Sequence, residues 1–264
     1  MPQISLAPPP FFMEKKKLLR LYDLATTSPI EIIYLGETIC RKRAPLDFRE
    51  LISLAEKLRN IGKEVVLSSP LLINSEQNSD YLEKIVDIDD FAIEANEMTA
   101  VSRMITRNKK FICGNGIHIY NNHSFKLMTS MGMFRWQPPN ELDLNSVIKI
   151  SGNTPVATEI TIYGKKILAF SARCFSAYAK NKNRENCSFA CKNGENELKT
   201  LDGNKILTTN GPIVMPTNPV DLTSFDQNTE NNHIKDMEIL RIIPTETEPE
   251  KQMEIINTVI NKLQ

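Results

Sequence analysis

The sequence predicts an α/β fold of the TIM-barrel-like (β/α)8 type, with a loop-rich insertion before the last strand. Short β-type runs alternate with helix-period segments at intervals of roughly 20 to 30 residues, the pattern of βα units on a parallel sheet. Eight such runs begin near residues 4, 31, 64, 91, 110, 133, 156 and 237. The chain length of 264 residues is close to the roughly 250 typical of such barrels. A doubly wound open sheet answers the same periodicity. Gly36, Gly114 and Gly116 do not make a glycine-rich phosphate loop of the G-x-G-x-x-G or G-x-x-x-x-G-K type.

Taken in order, Ile4 to Ala7 reads as a first strand and Phe12 to Leu24 as a helix carrying Leu18, Leu21 and Tyr22. Glu31 to Leu35 is a buried-type strand ending at Gly36. Leu46 to Ile61 has the clearest helical period, with Phe48, Leu51, Ile52, Ala55, Leu58 and Ile61 at three- and four-residue steps before Gly62. Strands follow at Glu64 to Ser68, Phe91 to Glu94, Lys110 to Gly114 and Met133 to Trp136. Helices between and after them are expected at Asp80 to Val86, Glu97 to Thr106, Ser124 to Ser130 and Leu144 to Ile150. Val156 to Tyr163 and Lys166 to Phe170 look like a hairpin turned at Gly164. Met237 to Ile243 is a strongly apolar last strand, and Thr247 with Glu250 reads as a capping box opening a final helix. Cys191 to Asp236 is rich in Asn, Thr, Asp and Gly and reads as loop with one short strand at Gly211 to Met215. Neither repeats nor a low-complexity linker interrupt the chain. Residues 1–264 are therefore expected to form a single barrel-like domain, with 171–236 as the insertion.

Composition narrows the function. Lysine plus arginine and aspartate plus glutamate both number 32, which argues against a general polyanion or nucleic-acid binder. No run of 18 apolar residues is present, and Pro8, Pro9 and Pro10 stand where a signal peptide needs an apolar helix. A cytoplasmic protein is expected. In that compartment five cysteines point to metal rather than to disulfides.

Three of those cysteines, Cys174, Cys187 and Cys191, are spaced C-x12-C-x3-C and lack one ligand for a four-thiolate site. Cys40 follows the second strand, on the face where a barrel's strand-to-helix loops build the site. Cys113 lies inside the β-type run F-I-C-G and reads as core filling. Four thiolates suit zinc or an iron–sulfur cluster, and ligation over so long a range suits a cluster seated within the fold. Arg173, Lys180, Lys182, Arg184 and Lys192 near three of the thiols, with Arg41, Lys42 and Arg43 beside Cys40, would stabilise a net negative centre, attract an anionic substrate, or lie solvated on the surface. Polar residues expected at strand ends are Glu37, Glu94, Asn115, His118, Arg135, Glu159 and Tyr163. His118 beside Ile117 and Ile119 reads as a packed histidine or an acid/base near neutral pH. With three histidines, His118, His123 and His233, and no HExxH run, a zinc peptidase site is not expected.

The segments I-I-Y-L-G-E-T-I-C-R-K-R (32–43), V-V-L-S-S (65–69), F-A-I-E-A-N (91–96), M-G-M-F-R-W (131–136) and F-S-A-R-C-F-S-A (170–177) resemble the collagenase-like peptidase family, in its UbiV-like branch, over nearly the whole chain. Members called peptidases carry E-x-F-x-H-G-x-x-C-x-x-x-S-G-x-C. Across Glu159 to Cys174 this chain has Tyr163 at the histidine position and Ile167 at the first cysteine, a departure that favours the UbiV-like branch. The resemblance implies a TIM-barrel-like fold and a 4Fe-4S cluster on Cys40, Cys174, Cys187 and Cys191. It further implies a heterodimer with a UbiU-like paralogue, a lipid-binding accessory protein, and oxygen-independent hydroxylation of ubiquinone precursors. A non-catalytic metal-stabilised partner subunit, a peptidase and an RNA-base hydroxylase are the alternatives.

Overall fold

In the computed structural model, which describes residues 2–152, 154–193, 196–224, 234 and 237–263, eight parallel strands close into a ring. They are β1 (Gln3–Leu6), β2 (Ile32–Leu35), β3 (Glu64–Ser68), β4 (Ala92–Ala95), β5 (Phe111–Cys113), β6 (Met133–Trp136), β7 (Ala157–Gly164) and β13 (Ile239–Ile242). Neighbours pair in that order, β6 pairs with β7, and β13 lies between β7 and β1. Every strand expected in the ring is present, within two residues of its expected start. The closed ring, rather than the open sheet, is the parallel arrangement this chain adopts.

Helices cover the outside. They are α1 (Lys15–Thr26), α2 (Phe48–Asn60), α3 (Glu76–Val86), α4 (Met98–Thr106), α5 (Asn122–Ser130), α6 (Leu144–Ser151) and, after β13, α8 (Pro249–Asn261). Each buries one stripe on the barrel wall. In α2 the stripe is Leu51, Leu54, Ala55 and Leu58, and Asp47 and Glu50 cap the start reciprocally. Such a cap is worth about 1 kcal/mol. The outer core runs between helices and strands and includes Trp136, which meets Phe125 of α5 edge to face at 5.1 Å. A smaller apolar cluster of Ile32, Tyr34, Val66, Ile112 and Ile239 fills part of the inside.

Three local expectations are corrected. The hairpin across Gly164 does not form, because β7 lies between β6 and β13 while Ala169–Phe170 (β8) leaves the barrel to pair with β11 (Ile213–Pro216). The capping box at Thr247 is absent. Glu248 is the N-cap of α8, without a side-chain cap bond, since Pro249 fixes the first helical φ there. The insertion holds more than one strand. Beside the short helix α7 (Phe175–Tyr178) it contains β9 (Asn196–Lys199) and β10 (Lys205–Asn210), which join β8 and β11 in an antiparallel sheet of order β8-β11-β10-β9. Val220–Asp221 (β12) adds antiparallel to β7 outside the ring. These strands were hidden by composition, since the residues that β10 buries are Thr208, Thr209 and Asn210.

Closure at β7 requires a backbone that only glycine adopts without strain. Gly164 has φ +124°, and a Cβ there would lie 2.6 Å from both the Cβ and the carbonyl oxygen of Ile243. Gly164→Ala should therefore lower stability by about 3 kcal/mol, combining backbone strain and overpacking, as read by urea unfolding. An unchanged midpoint would show that β7 does not need this contact.

Candidate functional site

Charged side chains run up the inside of the barrel as a ladder. Arg135 of β6 is directed toward the N-terminal end, where its Nη2 donates to Glu64 Oε1 at 2.7 Å at the start of β3. Its Nη1 lies 3.2 Å from the Tyr34 hydroxyl. A register shift between Phe111 and Ile112 against β6 places Arg135 opposite Ile112, the local irregularity that re-aims a side chain. Tyr34 donates to Glu159, whose Oε1 also accepts from Ser5 Oγ at 2.6 Å and from Arg241 Nη1 at 3.1 Å. Arg241 Nη2 then meets Glu94 Oε1 at 3.0 Å, and Glu94 Oε2 accepts from Asn96 Nδ2 at 3.1 Å. Gln137 fits beside them with its NH2 toward Glu94 and its oxygen toward Arg241 Nε.

The centre of this ladder is buried and closely paired, whereas Glu64 is exposed at its lower end and Arg135 Nε is buried without a partner. Glu159 is 0% exposed, Glu94 1% and Arg241 6%. Burial opposes the charge of Arg241, but Glu94, Glu159 and Tyr34 outweigh it and hold its pKa above the ordinary arginine value. Burial and the adjacent Glu159 push the Tyr34 hydroxyl well up, against Arg135 and Arg241, so Tyr34 is a hydrogen-bond donor rather than a base near neutral pH. At its upper end the ladder opens into a small cleft, with Glu94, Asn96, Asn115, Gln137 and Arg241 among its walls.

Beside this mouth the cysteine-bearing loops meet. Cys40 and Cys174 line one small cleft together with Leu71 and Arg184. Burial pushes the Cys174 thiol up, the N–H groups of Ala177 and Ser176 pull it down, and Cys40 and Cys187 add to the rise. Cys191 is likewise pushed up by burial, lowered by Arg43, and raised by Cys174 and Cys40. Cys40 and Cys174 thus meet although about half the chain separates them in sequence, and Cys187 and Cys191 are close enough to influence them electrostatically. All are free and half-buried. Among the described residues no group of three or more His, Cys, Asp or Glu side chains is arranged to hold a metal ion. The donor set suits a thiolate-bound cluster in type, but the loops would have to draw in to bring the four sulfurs to one centre. Ser188 and Phe189, between Cys187 and Cys191, both have left-handed backbone with φ 49° and 53°, a strained link in that loop.

The other candidates divide. Glu37 is buried and paired with Arg43 at 2.9 Å. Asn115 lines the mouth, and His118 is exposed, 5.7 Å ring to ring from Tyr120, so its packed reading does not hold. Its ring extends outward while Ile117 and Ile119 take the core. Arg135 is directed to the opposite end of the barrel from the mouth. Tyr163 is half-buried near the end of β7 and packs against the outer core. Cys113 is 0% exposed in β5, as core filling requires. His233 lies outside the described residues. Sequence reading passed over Arg241, Tyr34, Ser5, Asn96 and Gln137. The signal for Arg241 was a single charge, two residues on from the inward Ile239, in the otherwise apolar stretch I-L-R-I-I.

The polar mouth and the Cys40 turn lie at the C-terminal ends of the strands, the face on which barrel enzymes build their sites. The sequence matches Peptidase family U32 over residues 19–241, and the chain belongs to that family. Among solved structures it is similar to the U32 peptidase Mk0906, at 12% identity and TM-score 0.49 over 93% of this chain and 94% of that one. It is also similar to a truncated 3-deoxy-D-arabino-heptulosonate 7-phosphate synthase from Thermotoga maritima, at 15% identity and TM-score 0.43 over 61% of this chain and 64% of that one.

Removing one rung of the ladder should expose its cost. Arg241→Met leaves Glu94 and Glu159 buried without their cation, and stability should fall by about 3–5 kcal/mol. Adding Glu94→Gln and Glu159→Gln to Arg241→Met should restore part of that loss, since the three groups form one network. Equal losses in the single and triple variants, measured by denaturant unfolding, would contradict the coupling.

Proposed function

We propose that this U32 family member is an iron–sulfur protein of the UbiV-like branch. In this reading it carries a 4Fe-4S cluster on Cys40, Cys174, Cys187 and Cys191 and acts with a UbiU-like paralogue and a lipid-binding accessory protein. The reaction is oxygen-independent hydroxylation of ubiquinone precursors. The observation that carries this reading is that Cys40, after β2, and Cys174, of the β7–β13 crossover, line one cleft beside the barrel mouth, with Cys187 and Cys191 in the same crossover. The sequence adds support, because Tyr163 and Ile167 occupy positions where the peptidase-type motif has histidine and cysteine.

When bound, such a cluster supplies one-electron chemistry at a potential set by burial and by hydrogen bonds to its sulfurs. This chain's own residues do the rest. The N–H groups of Ser176 and Ala177 face the Cys174 sulfur, and Arg43 favours the thiolate of Cys191. At the mouth, Glu94, Asn96, Gln137 and Arg241 present fixed donors and acceptors to a small polar or aromatic ligand. Leu71 and Ile167 give that cleft apolar walls.

The decisive measurement is anaerobic purification followed by iron, sulfide and zinc analysis. Wild type should be brown with ~4 iron and ~4 sulfide per chain, and Cys174→Ala should lose most of both. A colourless wild-type protein with about one zinc per chain would remove the cluster. Co-expression with a UbiU-like paralogue, followed by assays of each subunit alone, decides whether this chain is catalytic or only supports its partner.

A further inference from the structure

Arg43 lies between the two cysteine-bearing turns and is 2% exposed. It sits in a short 3-10 turn, Arg41–Arg43, whose N-cap is Cys40. All three guanidinium nitrogens are engaged. Nε donates to Glu37 Oε2, Nη1 to Asn210 Oδ1 and Nη2 to the Pro10 carbonyl, each at 2.9 Å. The first two partners lead directly to cysteines. Glu37 Oε1 accepts the backbone N–H of Ile39 at 2.9 Å and of Cys40 at 3.0 Å, which fixes the Cys40 turn. Asn210 precedes Gly211, whose N–H donates to Ser176 Oγ at 2.9 Å and whose carbonyl accepts from Phe175 N at 2.9 Å. Phe175 and Ser176 directly follow Cys174.

We propose that Arg43, held by Glu37 and Asn210, is a positioning residue that docks the Cys40 turn onto the Cys174 turn and so sets the approach of these two thiols. The inference rests on the reading of the cysteines as one ligand set. A guanidinium suits this task because its rigid fork addresses a carboxylate, an amide and a carbonyl in fixed directions, which an ammonium cannot do. Lys42 reinforces the same joint from outside, where its Nζ donates to the carbonyls of Arg184 at 3.0 Å and Glu185 at 3.3 Å, just before Cys187. Both cations are thereby committed to holding the insertion against the barrel.

The test reads thiol spacing without iron. In the metal-free full chain carrying Cys187→Ser and Cys191→Ser, phenylarsine oxide bridges Cys40 and Cys174, forming two As–S bonds and releasing water, and intact mass follows the reaction. Asn210→Ala removes one arm of the clamp and leaves the buried Arg43–Glu37 pair. It should slow bridging roughly tenfold, the effect of one lost hydrogen bond to a charged group, while alkylation of each thiol alone keeps its rate. Arg43→Gln should slow bridging further, and Arg43→Lys should restore part of it. Bridging at the wild-type rate in folded Asn210→Ala and Arg43→Gln variants would overturn the proposal. If the wild-type chain never holds iron yet bridging follows the clamp, the cluster reading fails and the clamp stands. If iron is held but bridging ignores the clamp, the reverse is true.

Discussion

Glu159 ties the inside of the barrel together through its carboxylate. It is fully buried, and its carboxylate takes donors from three other strands, Ser5 of β1, Tyr34 of β2 and Arg241 of β13. Through Arg241 it reaches Glu94 of β4, and through Tyr34 it reaches Arg135 of β6 and then Glu64 of β3. Every strand of the ring except β5 thus contributes to one polar network. A buried charge without a partner costs several kcal/mol. A slip of one residue in any of these strands would turn its member outward and strand the others. The apolar interior cluster of Ile32, Val66, Ile112 and Ile239 makes non-directional contacts, whereas the ladder's hydrogen bonds and ion pairs are directional.

That constraint shapes the functional face. Because Arg241 is already committed to two carboxylates, Glu94 and Glu159, it is not an open anion trap at the mouth. Of the basic residues around the cysteines, Arg173, Lys180, Lys182 and Lys192 are exposed, whereas the three after Cys40 are engaged with the protein. Arg43 is a buried tie, Lys42 is occupied with backbone carbonyls, and Arg41 stacks over the Tyr81 ring at 3.7 Å. Burial pushes the Tyr81 hydroxyl up to about 12, so the ring under Arg41 stays neutral. The positive run R-K-R after Cys40 is largely consumed in joining the insertion to the barrel.

The barrel could be read from the sequence because its outer wall obeys simple periods. Strands such as I-I-Y-L are buried on both sides, and helices such as α2 carry a single apolar stripe. Both signals come from the helix–strand core, which contains most of the buried residues. The inside of the ring obeys different rules. Its residues are polar partners drawn from distant strands, so Arg241 in an apolar run and Tyr34 in another gave no local sign of meeting. The insertion sheet was hidden for a related reason, since Thr208, Thr209 and Asn210 are buried polar residues in a stretch whose composition reads as loop. Cys40 and Cys113 were separable in advance, because one follows a strand end and the other lies within a strand.

The position of Leu71 relates the two halves of the site. It follows β3, its N–H is bonded to the Thr38 carbonyl at 2.8 Å, and its side chain borders the thiol cleft, the barrel mouth and the neighbouring cleft that holds His118. The β2 and β3 loops are thus tied at the point where the clefts meet. Thr38, one residue beyond Glu37 and two before Cys40, also lines the mouth. A ligand seated over Glu94 and Arg241 would therefore rest against the same backbone that carries Cys40. The fold links these regions through a few short hydrogen bonds among the loops after β2, β3 and β7, so the Cys40 turn and the wall of the mouth share one stretch of backbone.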